Sequence, residues 1–175
     1  EHLLEAAKNA AAVVALGSCA VNGGWMGATP NSAGALGIGK FLAKHDVTTP
    51  VINIPGCPAN PEWLVAVLVD VVMMGIMPEL NSENKPALIF NQTIHDNCQR
   101  RGHFENGEFV YQFGSKEEKL GYCLYPLGCR GPQTKSNCGI VRFNHRRSWC
   151  IEAGAPCIGC CEANPNDPGE HSALT

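Results

Sequence analysis

The sequence has no surplus of positive charge: thirteen Lys and Arg stand against sixteen Asp and Glu, for a formal charge of −3. An extended nucleic-acid surface releases counterions through clustered basic residues, so that class of partner is excluded. A long apolar run is also lacking. The most hydrophobic stretch, Trp63 to Met77, is interrupted by Asp70 and falls short of the ~20 residues that a membrane-spanning helix needs. No initiator methionine, signal peptide or helix cap precedes Glu1-His2-Leu3-Leu4, which reads as helix interior, so the chain is expected to begin inside a longer protein. What is present, 45% hydrophobic and 17% charged residues over 175 positions, is the composition of one ordinary folded unit.

Cysteine is plentiful but unevenly placed. Ten in 175 residues is below the ~8–10% of small disulfide scaffolds. Cys19 and Cys57 stand alone in the first part, whereas Cys98, Cys123, Cys129, Cys138, Cys150, Cys157, Cys160 and Cys161 crowd the last. A change of pattern near residue 80 accompanies this. Before it, helix-like segments (Glu1 to Ala12, Ala33 to His45) alternate with the short apolar strands Val13 to Leu16 and Val51 to Ile54. Asn60 caps the next helix, Pro61 suits its first turn, Glu62 its positive dipole end and Gly75 its stop. Strands alternating with helices predict a parallel sheet covered on both faces, hence α/β. Each strand runs into a cysteine loop, Gly17-Ser18-Cys19-Ala20 and Pro55-Gly56-Cys57-Pro58, at the strand ends where open parallel sheets bind ligands. Two small buried hydrophobes account for these cysteines as well.

Beyond residue 80, Ala87 to Phe90 reads as a short strand. From His95 onward Gly, Pro, Asn and Cys prevail without sustained periodicity, and the last dozen residues are polar. A segment that buries so little apolar surface is expected to be held by something other than a hydrophobic core. His95-x-x-Cys98 followed by Cys123-x5-Cys129 supplies one set of donors, which serves zinc and an iron-sulfur cluster equally. Cys138, Cys150, Cys157 and Cys160 supply a second. Gly128, Gly131, Gly139 and Gly159 lie beside these thiols and permit the close backbone approach that cluster sulfides use, which favours clusters. Cys161 reads as a bystander. His103, His145 and His171 read as surface residues, Arg100-Arg101 and Arg146-Arg147 as solvated or structural charges, and Trp25, Trp63 and Trp149 as packing residues.

The ordered set of motifs, with His95-Asp96-Asn97-Cys98, Gly121-Tyr122-Cys123, Gly128-Cys129-Arg130-Gly131-Pro132 and Pro156-Cys157-Ile158-Gly159-Cys160 following the two strand-end loops, resembles the small subunit of nickel-iron hydrogenases from about Val13 to Glu162. The resemblance implies an α/β fold, residues 1–80 being the C-terminal part of a flavodoxin-like doubly wound parallel-sheet domain and 81–175 an irregular, cluster-stabilised iron-sulfur domain. It implies electron conduction through three iron-sulfur clusters during reversible H2 oxidation, with the nickel-iron centre in a separate large subunit and no catalytic residue here.

By position, Cys19 and Cys57 resemble half the ligands of a proximal 4Fe-4S cluster, the other half lying in an N-terminal portion that this chain lacks. His95, Cys98, Cys123 and Cys129 resemble the ligands of a distal 4Fe-4S cluster, and Cys138, Cys157 and Cys160 those of a medial one. Many members carry proline where Cys150 stands and hold a 3Fe-4S cluster. Here Cys150 implies a fourth ligand and a medial 4Fe-4S cluster, as in nickel-iron-selenium members. Gly24 occupies the place of an extra cysteine in oxygen-tolerant members, so a standard proximal cubane is expected. An external carrier such as a cytochrome or ferredoxin would take the electrons. Family resemblance favours a periplasmic or membrane-associated location over a cytoplasmic one. The competing expectations are a zinc-stabilised interaction module and a stand-alone ferredoxin-like carrier.

Overall fold

A computed structural model describes residues 2–163; His171 and the polar last dozen residues lie outside them. The chain divides into two units, the first made of residues up to Leu88 together with those from Cys160 onward, the second of Ile89–Gly159.

In the first unit α1 (His2–Lys8) leads to β1 (Val13–Leu16), α2 (Ser18–Asn22), α3 (Ile38–Lys44), β2 (Val51–Ile54) and α4 (Pro61–Leu68). The β-branched runs pair in parallel, Val13 opposite Val51 through Leu16 opposite Ile54. The pairing places Ala15, Ile52 and Ile54 wholly out of water. Around the sheet, Ala7, Leu42 and Val47 bury one another, with Leu4, Val13, Ile38, Phe41 and Val51 packed on them. Thr49 Oγ1 donates to the carbonyl of Ala7 at the end of α1 (2.7 Å), which also accepts from the Ala10 amide (3.2 Å).

The helix after β2 starts as its sequence dictates: Asn60 Oδ1 accepts from the Glu62 amide at 3.0 Å, with Pro61 in the first turn. Trp63 and Val67, four residues apart, form its buried face. It does not run regularly to Gly75. From Val69 to Met73 it widens into a π-helical turn, with Gly75 at φ +68° beyond it. The second helix-like segment is also shorter than expected, because a Cβ at Gly37 would stand 2.1 Å from the Val21 carbonyl oxygen. A turn at Asn31–Gly34, with Gly34 at φ +63°, and an extended Gly37 precede Ile38.

The expected strand at Ala87–Phe90 is instead one turn of helix, α5. A four-residue apolar run carries no periodicity that separates the two. Within the second unit the helices α6 (Arg101–Glu105), α7 (Lys116–Lys119) and α8 (Cys138–Val141) are a turn or so long. Isolated bridges, Thr93 with Lys135, Phe109 with Cys123 and Phe143 with Ser148, replace a sheet. Its buried apolar side chains, Ile89, Phe90, Ile94, Val110, Leu124, Trp149 and Ile151, are joined in the interior by the thiols of Cys123, Cys138 and Cys157.

Candidate metal centres

All ten cysteines are free thiols. In the first unit the parallel pairing delivers both strands to the same edge, and the Gly17 amide continues the ladder onto the Ile54 carbonyl (2.8 Å). Gly17 at φ +86° and Gly56 at φ +137° turn the chain there in conformations open to glycine. Cys19 and Cys57 follow them, both exposed. Buried Ser18 locks the loops together: its amide donates to Gly56 O (3.0 Å), its hydroxyl accepts from the Gly56 amide (2.9 Å), and the same hydroxyl donates to Cys160 O (2.5 Å). One hydroxyl thus ties three cysteine-bearing segments.

Lys85 fixes the last of these segments from another side. It is 3% exposed, and its ammonium donates to Cys161 O (2.9 Å) and pairs with Glu162 (3.1 Å) and Glu83 (3.2 Å). Cys161 itself is buried with its thiol 3.9 Å from Pro55 O, and its side-chain hydrogen bond, aided by the Cys57 amide, pushes the Cys160 thiol down to about 6. At Gly24 an added Cβ would lie 2.7 Å from Cys19 Sγ, so bare backbone abuts this sulfur.

In the second unit His95, Cys98, Cys123 and Cys129 line one cavity, with Arg100, Tyr125 and Gly131 among its walls. The spacing puts His95 and Cys98 on one turn, closed by the Cys98 amide on His95 O (3.2 Å). The His95 ring is oriented edge-on by Phe104, 4.7 Å between centroids. Backbone amides already face the sulfurs: Arg100 donates to Cys98 Sγ and Cys157 to Cys129 Sγ, each at 3.4 Å. Burial pushes the Cys98 thiol up from its ordinary value, and negative charge on Cys129 and Cys123 would push it further; Cys123 is raised by burial in the same way. Metal binding to such thiols releases protons. Arg100, expected as a solvated or structural charge, is buried and donates to Tyr122 O at 2.8 Å, bracing the residue before Cys123.

The remaining thiols of this unit differ in burial. Cys138 and Cys157 are buried, Cys150 is exposed. Two buried hydroxyls accompany the buried pair, Ser136 Oγ at 3.1 Å from Cys138 Sγ and Thr134 Oγ1 at 3.6 Å from Cys157 Sγ. Trp149, beside Cys150, has a buried indole N–H that meets no acceptor among the described residues, an arrangement that costs about 1–3 kcal/mol if nothing accepts from it. Cys160, the last member of the second sequence set, lies with the Ser18 and Cys57 loops of the first unit.

Sequence reasoning missed Ser18, Lys85, Thr134 and Ser136; the one signal available was alternation of hydroxyls with Cys138 in Thr134-x-Ser136-x-Cys138. It misread Trp25, which is 69% exposed rather than packed.

The donors test the kind of metal they fit. A mononuclear zinc site draws its ligands to 2.0–2.3 Å from the ion, so donor atoms lie within about 4 Å of one another. Among the described residues no three His, Cys, Asp or Glu side chains converge in that way. Four soft and borderline donors spread around one cavity, with amides aimed at sulfur, fit a larger multi-metal group.

Comparison with known proteins agrees with the donor chemistry. Residues 90–171 match the family described as the C-terminal part of the NiFe/NiFeSe hydrogenase small subunit, and residues 1–71 match that described as NADH ubiquinone oxidoreductase, 20 Kd subunit. The quinone-reactive Ni/Fe-hydrogenase small chain of Wolinella succinogenes is 44% identical over 162 residues, covering 93% of this chain and 44% of the relative. The periplasmic NiFe hydrogenase small subunit 1 of Nitratidesulfovibrio vulgaris is 47% identical over 153 residues, covering 87% and 47%. Among solved structures, the NiFeSe hydrogenase of Desulfovibrio vulgaris Hildenborough superposes with a TM-score of 0.84 at 34% identity, over 98% of this chain and 63% of that one. The chain spans a little under half the length of these curated relatives. Small subunits of hydrogenases hold iron-sulfur clusters and pair with a large subunit. With a parallel α/β unit, ten free thiols and relatives over nearly its whole length, the chain belongs to the nickel-iron hydrogenase small-subunit family.

Proposed function

We propose that this chain conducts electrons through iron-sulfur clusters between the nickel-iron site of a hydrogenase large subunit and an external redox partner, during reversible oxidation of H2. The observation that carries the reading is the single cavity lined by His95, Cys98, Cys123 and Cys129. These four would hold the distal 4Fe-4S cluster, Cys138, Cys150, Cys157 and Cys160 the medial one, and Cys19 with Cys57 the proximal one, completed by two ligands from outside these residues. Bound clusters supply one-electron redox chemistry. The chain's own residues set the conditions for it. Arg100 and Cys157 amides stabilise negative sulfur, Phe104 fixes the His95 ring, and Gly24 leaves room beside Cys19. Cys150 closes the medial set as a fourth thiolate, adding negative charge that lowers the potential relative to a three-iron cluster.

The large subunit and an external carrier such as a cytochrome or ferredoxin are the expected partners, at a periplasmic or membrane-associated location. Residues 1–80 serve in this reading as the flavodoxin-like platform for the proximal site and 81–175 as the cluster domain.

Metal analysis with EPR spectroscopy on the anaerobically purified complex tests the assignment. Substantial iron, nickel in the partner and no near-isotropic three-iron signal is the expected result. A stoichiometric three-iron signal would remove Cys150 from the ligands, and zinc without iron would overturn the electron-transfer function.

A further inference from the structure

Trp149 is 4% exposed, and its indole nitrogen is one of the buried side-chain atoms without a partner among the described residues. An indole N–H donates and never accepts, so the missing partner is an acceptor. The ring is firmly placed. Its Cζ2 and Cη2 atoms stand 3.1 and 3.3 Å from the position a Cβ would take on Gly139. Nε1 is two bonds from Cζ2, so the nitrogen-bearing side of the ring lies near the turn that begins α8 with Cys138. Trp149 also directly precedes Cys150 in the chain. The donor therefore belongs to a ring packed on Gly139, the neighbour of Cys138, and to the residue before Cys150, and a phenylalanine would fill the same space without a buried polar atom.

We propose that Trp149 Nε1–H donates a hydrogen bond to sulfur of the cluster assigned to Cys138, Cys150 and Cys157, either to a bridging sulfide or to the Cys138 thiolate. This rests on the cluster reading above and goes beyond it, because it names a non-ligand residue that sets the potential. A hydrogen bond to sulfur stabilises the reduced, more negative cluster more than the oxidised one, so Trp149 raises the reduction potential.

The test uses the assembled complex labelled with 15N at the tryptophan indole, studied by pulsed EPR of the reduced cluster beside a potentiometric titration of wild type and Trp149→Phe. A 15N coupling in wild type that disappears in Trp149→Phe is expected. A fall in the reduced-to-oxidised ratio at fixed potential of about tenfold, or about 59 mV for one electron, accompanies it. Iron-loaded wild type without 15N coupling, and with the same potential in the variant, would overturn the hydrogen bond and leave Trp149 a packing residue. A complex holding zinc in place of iron would overturn the cluster reading itself. If Trp149→Phe loses its iron, the coupling in wild type decides alone.

Discussion

Cys19 and Cys57 stand exposed at the ends of a hydrogen-bonded parallel pair, outside an apolar cluster built from Ala7, Leu42 and Val47. Cys123, Cys138 and Cys157 instead lie inside the second unit, among the apolar side chains that make up its interior. The first unit thus presents Cys19 and Cys57 from a scaffold that backbone hydrogen bonds and burial maintain, while the second counts three of its proposed ligands as part of its own core. Metal binding and folding are expected to be coupled where ligands and core coincide, and nearly independent where they do not.

The strongest way to break this comparison is to remove iron from the assembled complex with a chelator and follow hydrogen exchange. Protection across 89–159 should collapse while the amides of β1 and β2 keep most of theirs; equal loss in both units would show that the scaffold also depends on metal. Next in size is Lys85→Met, which leaves Glu162 and Glu83 beside a buried aliphatic chain. Because Glu83 is half-exposed and Glu162 partly so, the loss should be roughly 2–3 kcal/mol, below the full value for a broken buried pair, read as a lower urea midpoint. Lys85→Arg should recover most of it.

Gly24→Ala sharpens the comparison at the scaffold's ligand end. Its Cβ would meet Cys19 Sγ at 2.7 Å with the backbone at φ +52°, so a loss of about 1–2 kcal/mol is expected, with lower iron occupancy at the Cys19 site and unchanged occupancy at the other two. Wild-type occupancy there would show that the sulfur can step aside. The smallest effect belongs to Asn60→Ala, which removes the cap on the Glu62 amide and should cost about 1 kcal/mol, lowering the thermal midpoint without changing iron content.

Much of this arrangement was legible in the chain. The two β-branched runs and the cap at Asn60 are local signals, each contained within a few residues, and the order of His95 and the cysteines is read directly along the chain. The helix at Ala87–Phe90 was not legible, since so short an apolar run has no period, nor was the π-helical turn at Val69–Met73. Ser18, Lys85 and the indole of Trp149 were hidden for a different reason. Their significance comes from partners 142, 76 and 10 residues away in sequence, and a side chain's tertiary partner leaves no mark on its neighbours in the chain.

The register of β1 on β2 acts as a length standard. Each residue of a parallel strand advances about 3.3 Å, and Leu16 faces Ile54 just before each chain turns toward its cysteine. Inserting one residue in either strand would displace one sulfur from the other by about that distance and send alternate side chains to the wrong face of the sheet. Two strands of four residues therefore gauge the separation of Cys19 and Cys57, in the way a machinist's block sets the gap between two jaws.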